Sequence, residues 1–304
     1  SRAGDSEMNM RPTGTNNTED GIERLLVSVM IPTLNSAKTL ETCLRSIKHQ
    51  RYKNIELVVV DNNSEDNTIN IARTYTECVY NSGKKRGFHR NFAASKATGD
   101  YYVFIDSDME LPPTMIESAL RKCEEEGYDA VVLPEISVGK GFWTDCRKLE
   151  KRAYLNDRHM EQANRFMKKG VFDAIDGYDE TFFGAEVFDI HQRILKAGFT
   201  IARVEEIILH HEIVPFRKMV RKYFLYGQDI PLYIKRNPVA GAQQFVIVRP
   251  AYLRNWRMFL KDPTHGAGLA IMKLSQYIAG GLGFITWLLK KKDKGIKFTP
   301  AQQD

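Results

Sequence analysis

The chain has 304 residues, 43% hydrophobic and 27% charged, with a formal net charge of +6. That mix supports a sizeable core, enough for one large α/β domain or a domain with an extension, and the positive balance suits an acidic partner: nucleic acid, an anionic membrane surface or a phosphorylated substrate. Four cysteines without a Cys-x-x-Cys pair argue against a zinc ribbon or a disulfide scaffold and fit a reducing compartment.

Residues 1–24 are polar, rich in Ser, Asn, Thr and Asp, and predict a disordered segment without a secretory signal. Val27 to Ile31 is a short apolar strand, stopped at Pro32. Asn35 or Ser36 can cap a helix that places Ala37, Leu40, Leu44 and Ile47 on one face. Ile55 to Val60 is a second buried strand, ending at Asp61. A polar loop to Thr68, a short helix over Ile69, Ala72 and Tyr75, and a brief strand at Cys78 to Tyr80 follow. A Gly-Lys-Lys-Arg-Gly loop and a helix from about His89 to Ala97 lead to Tyr101 to Ile105, five β-branched and aromatic residues that read as a buried strand. That strand runs into Asp106-Ser107-Asp108. Buried carboxylates are costly unless paired or bound to a cation, so this strand end predicts a divalent metal site.

Met115, Ile116, Ala119, Leu120 and Cys123 share a helix face, and Asp129 to Leu133 is a strand. Phe142 to about Met167 is charged and helical in pattern, and Val171 to Asp176 reads as a strand. A helix over Val187, Ile190, Ile194 and Leu195 ends at Gly198, a suitable cap. Phe199 to Val204 and Ile207 to Leu209 are short strands, the second running into His210-His211-Glu212. Apolar strands alternating with helices predict a parallel sheet covered on both faces. Neither the G-x-G-x-x-G fingerprint nor the P-loop motif is present. Thr33, Asp61, Asp106 and Asp108 stand at strand ends instead, which suits a nucleotide held by base and ribose, with a metal on its diphosphate.

Residues 214–304 change character. Arg217 to Tyr226 and Arg249 to Lys261 interleave basic and aromatic residues. Gly266 to Leu289 is mostly apolar, interrupted by Lys273, and is followed by three lysines. It is long enough to span a bilayer, while its glycines, Lys273, Ser275 and Gln276 equally suit an interfacial or partly inserted helix. Basic and aromatic residues beside an apolar stretch predict contact with the anionic cytoplasmic face of a membrane.

Five segments taken in order resemble a family-2 glycosyltransferase of GT-A fold: Val29 to Asn35, Val58 to Thr68, Arg86 to Asn91, Phe104 to Asp108, and Asp176 to Glu180 with Gly184-Ala185-Glu186. The resemblance implies a domain over residues 25–213, with a Rossmann-like, mostly parallel sheet and helices on both faces, followed by amphipathic, membrane-associated helices. It implies that Pro32, Thr33, Asn35, Asp61, Asn63, Arg86, Arg90, Asp106 and Ser107 contact a UDP- or GDP-linked sugar. Asp106 and Asp108, with His210 or His211, would hold Mn²⁺ or Mg²⁺. Trp143, Arg165 and Gly184 would lie on the acceptor side, with Glu186 as the base. The family pattern has an acidic pair at the base, whereas here Val187 follows Glu186. Glu186 alone, Asp189 as a substitute, or an impaired enzyme are the alternatives.

The function implied is metal-dependent, inverting transfer to a membrane-associated acceptor: a polyprenyl or dolichyl phosphate, or a lipid-linked glycan. Two rival readings predict different observations. A nucleotide-sugar-binding protein without turnover would not release nucleoside diphosphate when an acceptor is present. A basic-aromatic nucleic-acid binder would show tight, salt-sensitive binding. The sequence predicts no nucleic-acid partner and specifies no oligomeric state.

Overall fold

The computed structural model describes residues 21–82, 86–155, 164–182, 184–244 and 250–293. Its strands are β1 (Val27–Thr33), β2 (Ile55–Asp61), β3 (Val79–Asn81), β4 (Tyr101–Phe104), β5 (Met109–Glu110), β6 (Ala130–Val132), β7 (Glu135–Val138), β8 (Asn164–Lys168), β9 (Ile201–Arg203) and β10 (Ile208–His211). Its helices are α1 (Leu40–Lys48), α2 (Thr68–Arg73), α3 (Arg86–Ala94), α4 (Met115–Glu124), α5 (Phe142–Tyr154), α6 (Lys169–Ala174), α7 (Glu186–Lys196), α8 (Phe216–Arg236), α9 (Pro238–Gln244), α10 (Pro250–Arg254), α11 (Trp256–Lys261) and α12 (Pro263–Asp293).

The main sheet runs β3-β2-β1-β4-β8-β6-β9. All its pairings are parallel except those of β8, which runs against both β4 and β6. A small sheet, β5-β10-β7, completes the strand set. The strands after β1 are laid down first on one side of it, as β2 and β3, and then on the other, as β4. The crevice above the C-terminal ends of β1 and β4 is therefore a topological switch point, the usual ligand position in open α/β sheets.

Alternate residues of the central strands feed two cores. Val29, Ile31, Val59, Val103 and Ile105 pack with Leu40, Leu44 and Ile47 of α1 and with α4. Met30, Val58, Val60, Tyr102 and Phe104 pack with Ala93 of α3, Phe172 of α6 and Ile190 of α7. Both faces are buried, which explains why these strands are apolar throughout.

Four expectations change. Core packing starts at Ile22, inside the segment expected to be disordered, and Tyr52 donates to its carbonyl at 2.8 Å; residues 1–20 lie outside the described residues. β1 runs through Pro32 to Thr33, because its pairing with β4 ends at Met30 and the missing N–H costs no ladder bond there. The charged segment after Phe142 is not one helix: α5 ends at Tyr154, and Arg165 lies on β8. The expected strand at Val171 to Asp176 is α6, with Val171, Phe172 and Ile175 buried at helical spacing.

Candidate active site

Asp106-Ser107-Asp108 follows β4 at the switch point. Both Asp106 carboxylate oxygens accept from guanidinium groups: Oδ1 from Arg90 of α3 at 3.0 Å and Oδ2 from Arg165 of β8 at 3.3 Å. Arg165 also donates to Glu135 at the start of β7, at 2.8 Å. Arg90 donates from its other nitrogen to Glu186 Oε1 at 3.2 Å. Burial alone would lower the pKa of Arg90, but Asp106, then Tyr178 and Glu186, raise it, so it stays charged. The plane of Arg90 also lies over the Tyr178 ring, 5.2 Å from its centroid.

Asp108 is the more open of the two carboxylates. Its Oδ1 lies 3.2 Å from His210 Nε2, and the opposite ring nitrogen lies 3.3 Å from Glu135 Oε1. Burial would lower the His210 pKa, but Glu135 and the Asp108 contact raise it to about 9. The surroundings thus favour positive charge at this point. Among the described residues no group of three His, Cys, Asp or Glu side chains is arranged to hold a metal unaided. Asp108, His210 and Asp106 nonetheless offer oxygen and imidazole donors on one wall, a set that fits Mn²⁺ or Mg²⁺ when a diphosphate supplies further oxygens. His211 points to the other face of β10, where it meets Glu110 at 2.7 Å. Strand alternation separates the two histidines.

A cavity of about 810 Å³ opens beside these groups, and Arg90, Asp106, Asp108, Arg165, Glu186 and His210 line it. Glu186 is the first residue of α7 and is only 2% exposed. Its Oε2 has no hydrogen-bond partner, and the Nε atoms of Arg90 and Arg165 are likewise unpartnered. Buried polar atoms of this kind await a ligand or water. The loop before Glu186 is held from α8: the Gly184 N–H donates to Asp229 Oδ2 at 2.7 Å, and a Cβ on Gly184 would run into the Tyr226 ring.

Two residues stand elsewhere. Asp189, the alternative base, is buried one turn along α7, where Arg193 donates to it at 2.7 Å, and it does not line the cavity. Trp143 packs on Phe216, with ring centroids 4.4 Å apart, in a cluster with Leu269 and Met272 of α12. An indole between two helices buries area there and presents little to a ligand. Arg165 does line the cavity, but it faces Asp106.

The residues expected on the nucleotide side gather at the ends of β1 and β2. Asp61 is buried and accepts from Thr33 Oγ1 at 2.8 Å, Ser64 Oγ at 2.6 Å and the Ser64 N–H at 2.7 Å. Asn35 and Asn63 both adopt positive φ, 48° and 56°, a conformation asparagine tolerates. The Asn35 side-chain Oδ1 accepts from the Glu65 N–H, and Ser107 donates to Ser36 at 2.8 Å, tying the β4 end to the loop after β1, which follows Pro32 and Thr33. The Arg86 side chain, with Lys84 and Lys85, lies outside the described residues.

Sequence reasoning missed Glu135, Lys151 and Glu212. Lys151 of α5 bridges Glu135 at 2.6 Å and Glu212 at 3.4 Å. Lys151 and then Arg165 hold the Glu135 carboxyl well below the usual range despite its burial. A signal existed: Pro134-Glu135 ends an apolar run, as Asp61 and Asp106 do.

A mostly parallel sheet with carboxylates at the switch point and the buried Glu186 lining the same cavity is the arrangement of a sugar-nucleotide transferase of GT-A fold. Residues 28–184 match the model of "Glycosyl transferase family 2", and the chain belongs to that family. It is 23% identical over 220 residues to glycosyltransferase AglE of Haloferax volcanii, covering 66% of this chain and 72% of that one. It is 26% identical over 178 residues to the GalNAc(5)-diNAcBac-PP-undecaprenol beta-1,3-glucosyltransferase of Campylobacter jejuni, covering 53% and 57%. Its fold matches the mannosyltransferase PcManGT of Pyrobaculum calidifontis, solved with GDP-Man and Mn²⁺, at a TM-score of 0.60 and 18% identity over 86% and 87% of the chains. The protein is therefore a glycosyltransferase.

Proposed function

We propose that this enzyme transfers a sugar from a UDP- or GDP-sugar, with inversion and in the presence of Mn²⁺ or Mg²⁺, to a lipid-linked acceptor at a membrane surface. The observation that carries the reading is Arg90, which joins the metal-motif carboxylate Asp106 to Glu186 within one buried cluster. Donor diphosphate and acceptor base are thereby one guanidinium apart. A divalent ion held by Asp108, Asp106 and His210 would neutralise the departing diphosphate as a Lewis acid. Glu186 Oε2 takes the proton of the acceptor hydroxyl. The acceptor's oxygen, so deprotonated, bonds to the anomeric carbon from one face while the bond to the diphosphate oxygen breaks on the other. The nucleoside diphosphate leaves and the configuration inverts. One positioned carboxylate suffices for this, so the valine after Glu186 does not remove the base.

The membrane reading is supported by α12. Among the described residues, Pro263–Lys290 is the one stretch long and apolar enough to cross a bilayer. One face of it, with Leu269, Met272 and Ala279, is buried against α5 and α8. On the other, Ile271, Leu274, Ile278, Leu282, Ile285 and Leu289 are exposed at steps of three and four. A helix packed along its own domain with a continuous apolar outer stripe fits one lying in the interface, on the cytoplasmic face that the positive charge favours. The lipid-linked acceptor of the Campylobacter relative, given in its name, agrees.

Thermal unfolding with UDP-glucose, UDP-N-acetylglucosamine and GDP-mannose, each with and without Mn²⁺, tests the donor assignment. One donor should stabilise the fold only with metal, by about 2.7 kcal/mol at a hundred-fold excess over Kd. No metal-dependent stabilisation by any nucleotide would sink the reading.

A further inference from the structure

Asp106 and His210 come from different sheets, and Glu135 joins them. It opens β7, which pairs with β10 so that Glu135 stands opposite Ile208. Strand alternation then puts Glu135 on the same face as His210, two residues further along β10. Glu135 Oε1 lies 3.3 Å from His210 Nδ1, and Oε2 accepts from Arg165 at 2.8 Å. Arg165 donates in turn to Asp106 at 3.3 Å, and His210 Nε2 meets Asp108 at 3.2 Å. These contacts close a ring, Asp106–Arg165–Glu135–His210–Asp108, which returns to the chain two residues from where it began. Neither the transfer step nor the nucleotide side makes use of Glu135.

A neutral imidazole has two nitrogens and one proton. A ring that gives Nε2 to a cation carries its proton on Nδ1, and that N–H needs an acceptor. Glu135 Oε1 is within reach. Lys151 Nζ also stands 3.2 Å from Nδ1, and an ammonium has only protons to offer. Paired with Lys151, Nδ1 would be the acceptor, the ring proton would sit on Nε2, and Nε2 would be closed to a cation. Glu135 opposes this in two ways. It can accept from Nδ1, and the same oxygen accepts from Lys151 at 2.6 Å. Glu212 is a second carboxylate on Lys151, at 3.4 Å.

We propose that Glu135 is a positioning residue for His210: it holds the ring proton on Nδ1 and so leaves Nε2, beside Asp108, to a divalent cation. It acts through His210 and not on the cation itself. This role rests on the reading of Asp108, Asp106 and His210 as the cation site.

Titration calorimetry of UDP and of GDP into the full chain, each with and without MnCl₂, tests it. In the wild type at least one nucleotide should bind more tightly with Mn²⁺. Glu135→Ala removes both acceptor oxygens, while Lys151 keeps Glu212 and Arg165 keeps Asp106, so neither buried cation is left alone. That variant should lower the Mn²⁺-dependent affinity by about ten-fold or more and leave binding without Mn²⁺ unchanged. Added to His210→Ala, the same substitution should cost less than about two-fold, because the residue it acts through is gone. An equal loss in both backgrounds would assign Glu135 a purely structural role and overturn the proposal, as would an unchanged Mn²⁺ effect in Glu135→Ala. Pulsed electron paramagnetic resonance of the bound Mn²⁺ should show coupling to one imidazole nitrogen in the wild type and its loss in Glu135→Ala. Absence of that coupling in the wild type would overturn the proposal whether or not the variant folds. Failure of Mn²⁺ to strengthen either nucleotide in the wild type would remove the cation site and this role with it, whereas a wild-type effect that survives Glu135→Ala removes Glu135 alone.

Discussion

Arg90 is 2% exposed and meets two carboxylates, Asp106 at 3.0 Å and Glu186 at 3.2 Å. A buried guanidinium shared in this way links the two acids and fixes their separation. Glu186→Gln retains the shape and removes the base. Transfer should fall by about 10²- to 10⁴-fold, with metal-dependent donor affinity nearly unchanged; steady-state kinetics beside nucleotide binding would check it. Loss of donor affinity in step with turnover would assign Glu186 a structural role instead. Asp106 and Asp108 were legible because carboxylates that follow an apolar strand are costly without a cation. The choice between His210 and His211 was not legible, since adjacent strand residues point to opposite faces and only the pairing of β10 says which faces Asp108. Asp189 reads as a possible base in sequence, but one helical turn puts it against Arg193.

At the scale of elements, Glu186, the proposed base, sits where α7 begins, and α8 sets that position. Asp229 and Tyr226 of α8 hold Gly184, two residues before Glu186. A methyl group at Gly184 must displace the Tyr226 ring or shift the loop. Gly184→Ala should lower kcat by about 10²-fold through misplacement of the base, with little change in donor affinity. A variant with wild-type kcat would show that the ring yields freely. Helices α1, α4 and α7 were readable from the spacing of their apolar residues, and Gly198 closes α7 at φ 85°. α6 and β8 were not. Six residues of α6 are too few to establish a period, and β8 is a strand made of Asn164-Arg165-Phe166-Met167-Lys168. Its apolar members are buried between β4 and β6, and its arginine turns to Asp106, so its conformation comes from its partners.

At the scale of the whole molecule, the main sheet and the C-terminal helices share one cavity, so the membrane contact proposed for α12 and acceptor delivery would be physically joined. Sedimentation with phosphatidylglycerol vesicles should show binding that weakens with salt. Leu274→Glu with Ile278→Glu, both on the exposed stripe, should reduce binding by roughly 100-fold or more. Unchanged binding would remove the stripe from the membrane interface. The amino-acid sequence by itself determined the alternating α/β order, the absence of a glycine-rich phosphate loop, the carboxylates at the ends of β2 and β4, and the change of character after residue 214. These are local properties: apolar period, strand-end polarity and composition each act within a few residues. Tertiary structure decided which charges meet. Glu135, Lys151 and Glu212 are far apart along the chain and enter one network only because β7, α5 and β10 pack together. It also decided that α12 lies along α5 and α8, because the Lys273–Glu150 ion pair and the Gly227–Gly280 crossing join residues that no local pattern connects.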